Sequence, residues 1–306
     1  MSAPTLYSCF DFRFASEIAL GELTPAAEGD DRPVVTIRCG PVADPAEGDD
    51  SGWGLHREGD SVTLRVARVG RYRMTGGREI IVDPLPGASA CNVRLFLLGS
   101  ALGVLAYQRG LLPLHANAVV IDGRAHAFCG PSGAGKSTLA AHFSAAGHAV
   151  LCDDVCAVSF DAEGKPRAWP GLPRLKLWRD AADRMGHDIA TLDRAIEGMD
   201  KYHVTLPRAV VAAPVPLARL YLLGRVEAAD GARIERLRGA AAMEVVMANS
   251  YRPGYVRQLG LAGDHFAACG ALARHAAIFH ARRDWGFDVF AREAARLVEH
   301  ARSAAA

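Results

Sequence analysis

The chain has no surplus of either charge, with 35 Lys and Arg against 34 Asp and Glu in 306 residues. That balance argues against a general binder of nucleic acid or of a membrane surface, and leaves room only for a local basic patch. No two cysteines are spaced C-x-x-C, and the seven present are scattered and odd in number. Cys129, Cys152 and Cys156 sit in apolar segments. The pattern predicts reduced thiols packed as small hydrophobes, ahead of disulfides or a metal site, and hence a cytoplasmic protein. Long hydrophobic runs are also missing. The longest candidate, residues 95–108 between Arg94 and Arg109, is too short to cross a bilayer and predicts a buried helix. The N-terminus lacks the basic-then-apolar pattern of a secretory leader. No internal repeat occurs, and the only low-complexity tract is the Ala-rich end.

Half of the residues are hydrophobic, enough for a sizeable core, and the length suits two domains or one large one. One stretch organises the rest: Gly130-Pro131-Ser132-Gly133-Ala134-Gly135-Lys136-Ser137, followed by Thr138. It fits G-x-x-x-x-G-K-[ST], the phosphate-cradling P-loop. Glycines let the backbone turn so that successive N–H groups point at phosphate oxygens. Lys136 would meet the β- and γ-phosphates, and Ser137 would offer its hydroxyl to Mg²⁺. The context supports the motif. Residues 124–129 read as a short apolar strand, and a helix is expected from about Lys136 with no breaker before Gly147.

Residues 1–90 read as β-rich. Strands are expected over 6–14, 34–38, 62–69 and 79–82, with a Gly76-Gly77 turn and an acidic connector over 44–52. No chemistry is visible there. Residues 92–110 read as one apolar helix ended by Gly110 and Pro113. Asp122-Gly123 between two apolar runs predicts a hairpin that leads into the P-loop. Further strands are expected over 148–152, 155–160, 172–178, 217–223 and 277–281. Helices are expected over 240–249, 263–275 and 288–301, and one capped by Asp180 and running to His187.

Asp153-Asp154 follows the strand that comes after the P-loop helix. One carboxylate at such a strand end can hold Mg²⁺, and its neighbour can take a proton from an attacking hydroxyl. Adjacent like charges also disfavour double ionisation. The plain alternative is a solvated pair of turn residues. His115, before the hairpin, permits proton handling or phosphate contact, although a lone histidine is more often structural. Arg174, Lys176, Lys201, Arg252 and Arg257 are candidate phosphate or acceptor contacts. Arg252 stands out because its turn follows a helix.

Leu114-His115-Ala116, Asp122-Gly123, the P-loop, Gly147-His148 and Asp153-Asp154, at their spacings, resemble the catalytic domain of HPr kinase/phosphorylase. The resemblance is specific over about 111–160 and looser towards 300. It is closer still to HPr-kinase-like proteins with a β-rich N-terminal region, some of which phosphorylate serine on ribosomally made peptides, lasso-peptide precursors among them. It implies an α/β fold: a P-loop domain of HPr kinase/PEP carboxykinase-like type over 91–306, preceded by a smaller β-rich domain over 1–90. It implies ATP and Mg²⁺ as cofactors, a serine-bearing protein or peptide as acceptor, and a possible homo-oligomer. Carried over, Lys136 binds phosphate, Ser137 holds Mg²⁺, Asp153 is the base, Asp154 is the metal carboxylate, and His115 matches the family's histidine. The two aspartates could exchange roles. The family's second signature, a glutamate followed by Arg and Gly-x-Gly, is missing, and Asp180 lies in that region. Phosphorylase activity and HPr itself as substrate are therefore not expected. Competing functions are a nucleotide-responsive module without transfer and a small-molecule phosphotransferase. The adjacent aspartates favour the kinase, because binding alone needs no second carboxylate.

Overall fold

The computed structural model describes residues 6–43, 52–206, 213–226, 231 and 233–303. Most of the connector expected over 44–52 lies outside the described residues.

The chain begins with an eight-stranded sheet. Its strands are β1 (Leu6–Cys9), β2 (Phe12–Ser16), β3 (Thr24–Pro25), β4 (Val34–Cys39), β5 (Gly54–Glu58), β6 (Ser61–Val66), β7 (Gly70–Thr75) and β8 (Glu79–Pro84). Their order is β3-β1-β2-β4-β8-β7-β6-β5. The run expected as one strand over 6–14 is instead a hairpin. Phe10 takes φ +55 and turns the chain, and its N–H donates to Pro170 O at 2.8 Å. The expected strand 62–69 ends at Val66, where Arg68 at φ +60 turns the chain into β7. Burial alternates along β6, β7 and β8, so one face packs inward and the other meets solvent.

That inner face covers a helical segment made of α1 (Ala90–Phe96), a π-helical turn (Leu97–Ala101) and α2 (Leu102–Gln108). Ser89 caps it by accepting from Asn92 N at 3.2 Å. The whole segment, Ala90–Gln108, has 19 residues and is longer than the 14-residue span read from the sequence. By length and composition alone it could cross a membrane, yet most of it is buried inside the molecule. Tyr72 joins it to the sheet by donating to Val93 O at 3.0 Å.

The second sheet has nine strands: β9 (Leu112–Leu114), β10 (Ala116–Ile121), β11 (Arg124–Cys129), β12 (Ala149–Cys152), β13 (Cys156–Phe160), β14 (Pro166–Ala168), β17 (Val215–Arg225), β18 (Arg233–Leu237) and β19 (Ala277–Arg283). A separate two-stranded ribbon joins β15 (Arg174–Trp178) to β16 (Lys201–Thr205). β10 and β11 form the expected hairpin, with Asp122 at φ +49 and Gly123 at φ +73 in its turn. β17 lies between β11 and β19 and is parallel to both. Phe128, Tyr221 and Phe279 are partners in this register, and their rings stack across the three strands at 5.1 and 5.4 Å.

On that face pack α3 (Lys136–Ala145) and α8 (Phe287–Arg302). The small residues of the opposite face (Ala125, Ala127, Cys129) share a core with α5 (Gly239–Ala248) and α7 (Ala262–His275). Two short helices complete the chain, α4 (Arg179–Arg184) and α6 (Gly254–Gln258). α4 starts after Trp178 with no side-chain cap, so Asp180 falls in its first turn, and the helix stops short of His187. The seven cysteines are unpaired, and five of them are buried.

Candidate active site

Three parallel strands end at one edge of the second sheet, and the glycine loop leaves from β11 there. Gly130 takes φ +136, and a Cβ on it would lie 2.9 Å from Leu223 O of β17. Only glycine fits that crossing. Gly133 and Gly135 take φ +80, and Gly135 precedes α3 without a side-chain cap, so the first N–H groups of the helix face the loop. Lys136 Nζ donates to Gly130 O at 2.7 Å and to Pro131 O at 3.2 Å. Burial lowers its pKa, and Asp153 and Asp154 oppose that shift. The buried Asn117 of β10 donates to Lys136 O and fixes the start of α3. From the far end of the chain, Arg283 donates to Ala134 O at 2.7 Å. Burial pushes the Arg283 pKa down to about 10.

The two aspartates stand in opposite electrostatic states. Ser137 Oγ donates to Asp153 Oδ1 at 3.0 Å, and the main-chain N–H of Lys176 donates to Oδ2 at 2.9 Å. Burial, followed by the charge on Asp154, raises the Asp153 pKa. Asp154 sits at φ +71, and its Oδ2 accepts from Lys176 Nζ at 2.7 Å. His115 Nδ1 lies 3.4 Å from Asp154 Oδ1 and 3.0 Å from Asp154 O. Burial works against the Asp154 charge, but Lys176 and His115 outweigh it and hold the pKa well below the carboxylate range. A single residue of β15 thus grips both carboxylates, one through its backbone and one through its side chain.

Two clefts meet along this line. The first, about 690 Å³, is lined by the loop from Ser132 to Thr138, both aspartates, His115, Lys176 and Lys201. The exposed rings of Trp178 and Trp285 also face it. The second, about 720 Å³, shares His115, Asp154, Lys176 and Lys201 and runs to the segment 248–253. That segment is strapped down: His115 N donates to Asn249 O at 2.7 Å, and Tyr251 N to Pro113 O at 2.8 Å. A Cβ on Gly103 would come within 2.8 Å of the Tyr251 ring, so this glycine admits the tyrosine. Arg252 takes φ +49, lies 4.5 Å from the Trp53 ring centroid, and leaves its buried Nε without a partner.

The structure therefore brings Gly130 to Thr138, His115, Asp153 and Asp154 together, with Lys176, Lys201 and Arg252 beside them. Arg174 is buried against Glu22 away from the loop, and Arg257 is exposed on α6 and lines neither cleft. Asp180 is exposed at the rim of the first cleft. Arg283 and Trp285 escaped sequence reasoning, because only the parallel pairing of β17 with β19 carries them to the loop. Among the described residues, no group of three or more His, Cys, Asp or Glu is placed to hold a metal alone.

No family model matches this chain. No curated protein matches it either. Among solved structures it is similar to the Hpr(Ser) kinase/phosphatase from Coxiella burnetii, at 12% identity, over 62% of this chain and 95% of that one, with a TM-score of 0.34. At that score no assignment below rests on the likeness.

Proposed function

We propose that this protein is an ATP-dependent kinase acting on a serine hydroxyl of a protein or peptide. The observation that carries the proposal is the meeting of Lys136 and Ser137 with two adjacent carboxylates, one of raised and one of lowered pKa. A nucleotide-holding module needs the loop, the lysine and the hydroxyl. It does not need a second carboxylate held at the seam between two clefts.

The residues fit Mg²⁺-bound ATP. The left-handed glycines open the loop towards an anion, and Ser137 with an aspartate offers the few oxygens that Mg²⁺ takes from protein when phosphates and water complete its shell. Bound there, Mg²⁺–ATP supplies the phosphoryl group and neutralises its developing charge. Lys136 exchanges its carbonyl partners for phosphate oxygens. Trp285, whose ring lies 3.6 Å from a Cβ built on Gly135, gives the nucleoside end an apolar surface. Asp153 takes the proton from the serine hydroxyl, because its raised pKa suits a base near neutral pH. Asp154 stays ionised, orients His115, and is the carboxylate available to the metal. His115, Lys201 and Arg252 face the acceptor side.

The test is transfer from γ-labelled ATP with Mg²⁺ to HPr and to serine-containing peptides, followed by mass spectrometry. Label on a serine, lost in Lys136→Ala and Asp153→Asn, is the expected result. Tight ATP binding without transfer to any acceptor would instead favour a nucleotide-responsive module.

A further inference from the structure

A third cavity of about 790 Å³ lies outside the two clefts, between the loop at residues 19–22, the start of α1 and the ribbon β15–β16. Its floor continues from the active site. In the ribbon Trp178 opposes Lys201, Lys176 opposes His203, and Arg174 opposes Thr205. Directly opposed residues share a face, and so do alternate residues along each strand. These six therefore make one polar face, while Leu175, Leu177, Tyr202 and Val204 are buried on the other. The polar face begins in the phosphate cleft at Trp178 and Lys201, passes Asp154 at Lys176, and ends in the third cavity at Arg174 and Thr205. Two residues of strand separate Lys176 from Arg174, about 7 Å.

The cavity holds unmatched polar groups of opposite kind. Arg174 is 8% exposed, and its buried Nε has no hydrogen-bond partner. Glu22 Oε1 accepts from Arg94 Nε at 2.8 Å and lies 3.6 Å from Arg174, but its buried Oε2 has no partner. Buried polar groups are ordinarily paired, so an unmatched donor and an unmatched acceptor in one cavity point to a ligand that brings both complements. A phosphate or carboxylate brings only acceptors, and a simple cation brings no acceptor. A main-chain amide brings a donor and an acceptor together. The charges of the lining are balanced as well, with Arg94, Arg174 and Arg194 set against Glu22, Asp193 and Glu197.

We propose that this cavity binds the acceptor polypeptide through the residues two to four positions away from the phosphorylated serine. The proposal rests on the kinase function above and names where its substrate is read. An extended chain with its serine at Asp153 and His115 covers the distance to Arg174 in about two residues, at roughly 3.3 Å each.

The test uses a positional library of serine-centred peptides with γ-labelled ATP and Mg²⁺, on wild type, Arg174→Gln, Glu22→Gln and Gly21→Leu. Gly21 lines the cavity, and a Cβ there meets no atom within 4 Å, so leucine adds bulk without a clash. Wild type is expected to select residues two to four positions from the serine, on one side of it. Arg174→Gln and Glu22→Gln flatten that selection. Gly21→Leu raises KM for the best peptide at least tenfold, with kcat within twofold and with the Kd of a fluorescent ATP analogue unchanged. Cys91 also lines the cavity. Its alkylation by iodoacetamide slows at least fivefold when the best peptide is bound, a readout that survives if Arg174→Gln fails to fold. Unchanged KM in Gly21→Leu, flat selection by wild type, or no protection of Cys91 overturns the proposal and leaves the kinase function standing. A wild type that binds the ATP analogue yet labels no peptide removes both.

Discussion

The two sheets differ in strand direction, and that difference decides which of them carries a site. In the N-terminal sheet β5 to β8 form an antiparallel meander, so successive turns fall at alternate edges. In the second sheet β11, β17 and β19 run parallel. Their carboxyl ends therefore share one edge, which delivers the glycine loop, Leu223 and Arg283 to the same place. The first sheet turns its alternating pattern into a core that supports a helix. The second uses a similar pattern to align loop ends that come from distant parts of the chain.

Substitutions on either side sharpen this contrast. Asp153→Asn is expected to lower phosphate transfer by about 10³-fold, and Lys136→Ala by about 10²-fold or more, each with the fold intact by circular dichroism. Magnesium titration separates the aspartates: Asp154→Asn raises the Mg²⁺ concentration needed for half-maximal rate, whereas Asp153→Asn leaves it unchanged. The opposite pattern would exchange their roles. Phe12→Ala in the first sheet removes a fully buried ring that packs edge-on against Phe10 and Phe14. It should cost about 3–5 kcal/mol in denaturant unfolding. ATP affinity of the folded protein stays unchanged, and a loss there would break the separation between the sheets. Trp285→Ala is expected to weaken ATP about tenfold, the scale of one base–aromatic stack.

The smallest effect concerns pH. His126 of β11 is buried, and burial, aided by Arg219 and Arg124, lowers its pKa from 6.5 to about 4. Between those values the unfolded chain binds the proton and the folded chain does not. Its contribution to stability is therefore complete above pH 6.5 and is lost as pH falls towards about 4. His126→Phe should flatten the stability profile in that window, measured by urea midpoints at a series of pH values. An unchanged slope would assign the loss to other groups.

The glycine loop and the Asp-Gly hairpin were legible because each depends on local backbone conformation, and Gly130, Gly133, Gly135, Asp122 and Gly123 all take positive φ. The meeting of His115 with Asp154 was legible only as a spacing. The hairpin hidden in residues 6–14 was not legible, since Phe10 at φ +55 carries no turn signature in its side chain. The pairing of β15 with β16 was missed for a different reason. Its partners are 23 or more residues apart, and β16 has no apolar run of its own. Arg283 bonds a residue 149 positions away, a distance no local pattern encodes.

Lys176 holds Asp153 by its backbone and Asp154 by its side chain, on the strand that reaches the third cavity. A ligand in either cleft that shifts this double hold changes the affinity of the other, and thermodynamic reciprocity makes the two factors equal. The ribbon is therefore a coupling element whose strength has one value, whether it is read as the effect of peptide on ATP affinity or of ATP on peptide affinity. Neither order of binding is favoured by equilibrium, and any ordered sequence of substrates in this protein is a property of rates.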